Sequence, residues 1–287
     1  MKKKLIQISI TSFLAIFSFF YTNKVIELIR QTDPLMKQIK STENKFKINP
    51  IEPTIKENTI IPGLEGTNID YEETYNNMKD YGTYNEVLTV LKEVKPTISL
   101  DEYYDKYIIS GNNSKNEVAL VFEINKNIDI QKLINIYNIL KVNNTQATFF
   151  VDGMFLEKYL SQIKEMNKIQ LEPLSYNDNY EEIYFNTTIS LINDITGIKP
   201  KYCYSTYDRK EVQQTCQKNN MHTIIPSINT KNYPYNSIKQ KLTNGAIIGL
   251  KVSTSTEIEL PTIIDYINQK GYKLVILDQL LSEVNNK

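Results

Sequence analysis

The chain has no tryptophan, a single histidine and only two cysteines among its 287 residues. Each shortage closes off some chemistry. Serine–histidine or cysteine–histidine catalysis would have to pass through His222, and no Gly-x-Ser-x-Gly nucleophile elbow accompanies it. His222 stands at the start of an apolar run after Asn219-Asn220, which predicts a partly exposed strand residue. Cys203 and Cys216 have no histidine nearby and make no zinc site. Their spacing fits a strand and its crossover helix, either bridged or as two ordinary buried thiols. Neither sign of charge is in excess, with 33 basic and 33 acidic side chains, so no electrostatic case exists for nucleic acid. No phosphate-cradling loop appears either, since Gly63-x-x-Gly66 reads as a turn. Tyrosine, by contrast, is plentiful at 20 residues. That abundance is open to two readings, stacking platforms for sugars or a general drift of composition.

The N-terminus has its own pattern. Lys2-Lys3-Lys4 precedes an apolar run from Leu5 to Tyr21, at the short end of the roughly 17 to 25 residues a membrane helix needs. No small-x-small cleavage site follows in Phe20-Tyr21-Thr22-Asn23, which favours an uncleaved anchor over a removed signal. Basic residues before the run keep the N-terminus in the cytoplasm and place the rest of the chain outside. Secretion after cleavage is the alternative. Under either topology a disulfide could persist.

Residues 24–59 read as a stalk, in which a helix from Val25 to Ile39 is broken by Pro34 and a polar stretch carries Pro50 and Pro53. Residues 60–114 form a small segment, with a short helix over Tyr71–Tyr81 and mixed patterning over Tyr84–Glu93, expected to pack on the domain that begins at Lys115. From Lys115 apolar strand-like runs alternate with amphipathic helices. The strands fall at residues 118–122, 147–151, 169–171, 202–204, 222–225, 246–250 and 273–277. One helix buries Ile130, Leu133, Ile134, Tyr137, Leu140 and Val142. Another, with Ile183, Phe185, Ile189, Ile192 and Ile195, ends at Gly197. Such alternation builds a parallel sheet with helices outside, and seven units suggest an incompletely closed barrel.

Four segments, in order and suitably spaced, carry a resemblance: Val118-Ala-Leu-Val-Phe-Glu-Ile-Asn125, Ala147-Thr-Phe-Phe-Val151, Thr196-Gly-Ile-Lys-Pro200 and Lys270-Gly-Tyr-Lys-Leu-Val-Ile-Leu-Asp-Gln-Leu-Leu281. Over residues 115–282 the chain resembles the polysaccharide deacetylases, carbohydrate esterase family four. The resemblance implies an α/β fold, a distorted (β/α)7–8 barrel of the polysaccharide deacetylase type in 115–287, preceded by a membrane-anchor helix in 1–23 and the small N-terminal segment. It also implies chemistry at the C-terminal ends of the strands.

The family's reaction uses a divalent metal held by an aspartate and two histidines. The metal aspartate aligns with Ile124 and the His-x-x-x-His pair with Pro173 and Asn177, so no metal and no other cofactor is expected. Rescue by Glu172 or Asp178, which flank the site, is the remaining route. The family's Arg-Pro-Pro-Tyr-Gly motif reads Tyr204-Ser-Thr-Tyr-Asp208, keeping Tyr207 alone. Glu123 stands at the place of the catalytic base, one methylene longer than aspartate. Lys251 stands at the place of the acid, and lysines, which ordinarily titrate near 10.4, are poor proton donors. Asp208 precedes a helix and is expected to cap it, a commoner role than partnering Glu123 in glycoside hydrolysis. The groove residues expected from this alignment are Asn125, Asn177, Asp178, Tyr207 and Asp208, beside Glu123 and Lys251. The resulting expectation is a membrane-anchored, extracytoplasmic, deacetylase-like protein without turnover that binds cell-envelope glycan or an envelope protein. The alternative is a hydrolase of carbon–nitrogen bonds in cell-wall glycan with a rebuilt or metal-free site.

Overall fold

The computed structural model describes residues 12–14, 16–21, 24, 31–166 and 169–285. They divide into two compact units, one of residues 1–50 and 65–95, the other of residues 51–64 and 96–287. The expected anchor at 1–23 falls largely outside the described residues. Among those described, no helix is long and apolar enough to cross a membrane.

In the first unit the Pro34–Ser41 helix opens with the Asp33 carboxylate accepting from Leu35 N at 2.7 Å. Gln31 and Thr32 are helical, Asp33 is not, and the next helix opens on the proline, so the expected break is found at Pro34. Its missing N–H belongs to a turn whose N–H groups have no helical partner anyway. Leu35 and Ile39 pack against Ile69 and Met78, the latter on the Tyr71–Met78 helix. A packed helix thus lies inside the stretch expected as a stalk. Residues 84–93 resolve into a short 3-10 turn, Glu86–Leu88, and a strand, Leu91–Val94, antiparallel to Gly66–Ile69.

The second unit contains the seven expected strands. Glu117–Ile124 is its centre and pairs in parallel with Ala147–Asp152, Ile247–Lys251 and Lys273–Val275. Beyond these lie Ile169–Ser175 on one flank and Ile228–Asn229 on the other. A second sheet runs Thr54–Lys56, Thr59–Ile61, Tyr107–Ile108, His222–Ile224, Tyr202–Tyr204. The strand–helix alternation stands, but the backbone ladder is shared between two sheets, not carried round one ring. Local chemistry accounts for both breaks. Where Ile169–Ser175 gives way to Tyr202–Tyr204, the Glu172 carboxylate accepts from Lys201 N and Tyr202 N at 2.9 Å each. A side chain thus replaces the ladder carbonyl. After His222–Ile224 comes Pro226, which has no N–H to donate.

Strand alternation sorts side chains into two layers. Val118, Leu120, Phe122, Ile124, Phe149 and Val151 pack outward with Leu133, Ile136 and Leu140 of the Ile130–Val142 helix and Leu260, Ile263 and Ile267 of the Thr254–Gln269 helix. Ala119, Val121, Phe150, Leu174, Tyr204 and Ile247 fill the inside. Val142, expected on the buried helix face, is 85% exposed, and Ile136 occupies that face. The Glu182–Thr196 helix ends as expected at Gly197, whose φ of 69° suits glycine. Cys203 and Cys216 form a disulfide between the Tyr202–Tyr204 strand and the Lys210–Lys218 helix.

Candidate functional site: the mouth of the barrel

The mouth is built from the loops that leave the C-terminal ends of the strands. Ala147–Asp152 ends in Asp152, fully buried, whose Oδ1 accepts from Met154 N at 3.0 Å and so caps the next helix. Its Oδ2 accepts from Ser175 Oγ at 2.6 Å and Asp178 N at 3.2 Å. Gly153 is required beside it, because an added Cβ would collide with the Tyr176 ring and the Thr188 hydroxyl. The loop this carboxylate holds is unusual. Asn177 and Asp178 both adopt left-handed backbone, at φ 55° and 59°, a conformation that asparagine and aspartate tolerate better than most residues. Lys126 completes the arrangement, its Nζ donating to Asn177 Oδ1 at 2.8 Å and lying 2.9 Å from Asp178 Oδ2.

Glu123 is half-buried one residue before the end of its strand, in register with Phe150 and Lys251. Alternation turns it inward, on the side of Val121. Beneath it the rings of Phe150 and Tyr204 lie with centroids 5.0 Å apart and fill the barrel. Gly249 makes room for this plug, since a Cβ there would approach Tyr204 Oη to 3.1 Å. Burial, reinforced by the Glu123 charge, pushes the Tyr204 hydroxyl well above its ordinary pKa. Tyr180 is also raised, chiefly by burial, with Arg209 opposing and Glu123 and Asp178 adding to the shift. The Arg209 guanidinium sits 4.4 Å from the centroid of the Tyr180 ring.

The expected groove residues differ in what they offer. Asn177, Asp178, Tyr207 and Lys251 are exposed at the mouth. Asn125 is half-buried, and its Oδ1 accepts from Asn127 N at 3.0 Å in a local turn. Asp208 makes no cap, for the Lys210–Lys218 helix begins without a side-chain cap bond. Its carboxylate accepts instead from Tyr107 Oη and Asn58 Nδ2, each at 2.6 Å, and so binds two preceding segments to the Tyr202–Tyr204 loop. Lys126, Tyr180 and Arg209 were not among the expected site residues. Lys126 was legible as a cation two places past the end of a strand. Arg209 was hidden because it lies one residue beyond the degenerate motif.

A divalent metal does not fit this donor set. Ile124 packs among the helix-facing residues, Pro173 offers no donor, and Asn177 Oδ1 is engaged by an ammonium group. Glu172 is no substitute, being 2% exposed and committed to Lys201 N, Tyr202 N and Gln170 Nε2. Among the described residues, no three His, Cys, Asp or Glu side chains gather as metal donors. His222 is far from partly exposed. It is buried to 4%, with Nε2 3.2 Å from Asp101 Oδ1 and Tyr104 stacked on its ring.

No family model matches the chain. An uncharacterized Bacillus subtilis protein, YlxY, is 27% identical over 271 residues, covering 88% of this chain and 84% of the relative. Among solved structures, BA3943, a carbohydrate esterase family four pseudoenzyme from Bacillus anthracis, is 26% identical with a TM-score of 0.68, covering 88% of this chain and 97% of the other. A mutant of that pseudoenzyme, described as having restored enzymatic activity, matches with the same TM-score of 0.68 at 25% identity. The family four esterase PdaA of Bacillus subtilis, 20% identical over 62% of this chain and 86% of the other with a TM-score of 0.54, shares the fold. With its barrel in place and its metal and catalytic motifs replaced, the chain is similar to a degenerate polysaccharide deacetylase of carbohydrate esterase family four.

Proposed function

We propose that this protein binds cell-envelope glycan at the mouth of its barrel without hydrolysing it. The observation that carries this reading is the aromatic display in the loops after the strands and in the first turn of the Glu182–Thr196 helix. Tyr207 and Tyr233 are 63% and 68% exposed, and Tyr184, 43% exposed, stacks at 6.2 Å on Tyr176. Exposed rings of this kind offer flat apolar faces with polar tips, which suit the faces of sugar rings. Around them stand groups able to bond hydroxyls, Asp178, Lys126, Lys251 and Glu123, while the donors that a metal-assisted hydrolysis needs are replaced. A location outside the cytoplasm belongs to the same proposal. The Cys203–Cys216 disulfide supports it, since such bonds persist in oxidising compartments, and so does the basic, then apolar, start of the sequence. Tethering by that segment is the favoured form, with an envelope protein as the other candidate partner.

The test is retention of the purified protein on immobilised N-acetylated glycan oligomers, with acetate release measured in parallel. Retention that falls in Tyr207→Ala and Tyr233→Ala, with no acetate released, is expected. Acetate release abolished by Glu123→Ala would overturn the reading and establish an enzyme.

A further inference from the structure

A cavity of about 450 Å³ opens at the N-terminal ends of the Tyr202–Tyr204 and His222–Ile224 strands, where the family's chemistry is not found. That volume lies within the roughly 300–1,000 Å³ of small-molecule sites. Three carboxylates line it, Asp101, Asp278 and Glu283, against one ammonium, Lys201, and Lys201 Nζ is already 3.0 Å from Asp278 Oδ2. Glu283 accepts from Ser99 Oγ at 3.0 Å, and Asp101 lies 3.2 Å from His222 Nε2 while its side chain remains 78% exposed. His222, also in the wall, is held neutral by burial, which lowers its pKa. With the Nε2 proton directed at Asp101, its Nδ1 is an acceptor without a hydrogen-bond partner among the described residues. Tyr104, stacked at 4.4 Å on the imidazole, and the side chains of Leu100 and Leu281 give the cavity an apolar side. The wall is therefore rich in acceptors and net negative, with one greasy face.

We propose that this cavity is a second binding site, taking a small organic cation of monosaccharide size: a primary ammonium that meets Asp101 and Asp278, carried on a ring or chain that lies against Tyr104. The proposal does not depend on glycan binding at the mouth.

The full chain, kept in detergent, is titrated calorimetrically with glucosamine hydrochloride and, separately, with glucose, which keeps the ring and lacks the charge. Saturable glucosamine binding is expected, with glucose at least about tenfold weaker because the carboxylates select for charge. Asp101→Asn, at an exposed side chain whose amide oxygen can still accept from His222 Nε2, is expected to weaken glucosamine several-fold, and Asp278→Asn to do the same. Tyr207→Ala at the mouth is expected to leave it unchanged. The proposal is overturned if glucosamine shows no saturable binding, if glucose binds equally well, or if Tyr207→Ala removes the signal while Asp101→Asn does not.

Discussion

The two ends of the barrel differ in which polar groups they enclose. At the mouth the charged and aromatic side chains stand largely in water: Asn177, Asp178, Tyr207 and Lys251 are all exposed. At the other end Asp101 and Lys201 also stand in water, but Glu172 and Tyr202 are buried and strongly perturbed. Glu172 is enclosed and its carboxyl is pushed up to about 8 by burial, although three donors pull it back. Tyr202, Glu172's backbone partner, has its hydroxyl raised by burial and by the nearby charge of Asp278. Perturbed titratable groups often mark functional sites, but structural networks produce them too. At the mouth the groups shifted in this way are phenols, Tyr180 and Tyr204, both raised chiefly by burial. At the base the raised group is a carboxylate, and it is the one that holds two strand N–H groups.

That contrast can be tested by removing groups from each end, and the largest effects belong to the base. Glu172→Ala leaves two strand N–H groups without partners, at about 1–3 kcal/mol each. A loss of roughly 2–5 kcal/mol is expected in urea unfolding, against less than about 0.5 kcal/mol for Glu123→Ala at the half-buried mouth position. Equal losses would dissolve the contrast. Reduction of the Cys203–Cys216 bridge, which spans 13 residues, is expected to cost about 3 kcal/mol, read as a lower melting temperature in dithiothreitol.

Smaller effects come from titration. Glu172 keeps its proton in the native state up to about pH 8, whereas the unfolded chain releases it near 4.5. The native state thus binds more protons between those values, so stability falls as pH rises through that window. The slope is at most about 1.4 kcal/mol per pH unit. Glu172→Gln should remove this part of the pH profile, and an unaltered profile would refute the assignment. Smallest of all, Lys126→Met severs an exposed ion pair and should change global stability by less than about 1 kcal/mol. Hydrogen exchange at residues 176–179 should nevertheless quicken, because the left-handed Asn177–Asp178 pair loses one of its two supports.

Much of the architecture could be read from the sequence because hydrophobic periodicity is a local signal. The strands of the barrel appear where the alternating and continuous apolar runs lie, and Gly197 ends its helix for a reason visible in one residue. The division of the ladder into two sheets could not be read this way. It depends on Glu172 reaching Lys201 and Tyr202 across 29 and 30 residues, a contact that no window of sequence contains. The break at Pro34 was legible in one residue, since its ring bars a preceding helix from continuing, and Asp33 caps the helix that follows. Asp208 misled, since its position suited a cap but Tyr107 and Asn58 claim its oxygens. His222 read as a partly exposed strand residue because its partner Asp101 lies 121 positions away. At the mouth the replaced motif residues were plain, while Lys126 and Arg209 needed three-dimensional placement to count.

The central strand, Glu117–Ile124, has a consequence for how the chain can go wrong. Neighbouring residues Glu123 and Ile124 face opposite layers, and three other strands are hydrogen-bonded to the same ribbon. A slip by a single position would thrust a carboxylate into oil and an aliphatic side chain into water. This adjacent pair therefore acts as a register lock, and swapping the two, Glu123→Ile with Ile124→Glu, should produce a misthreaded, aggregating chain with its composition unchanged.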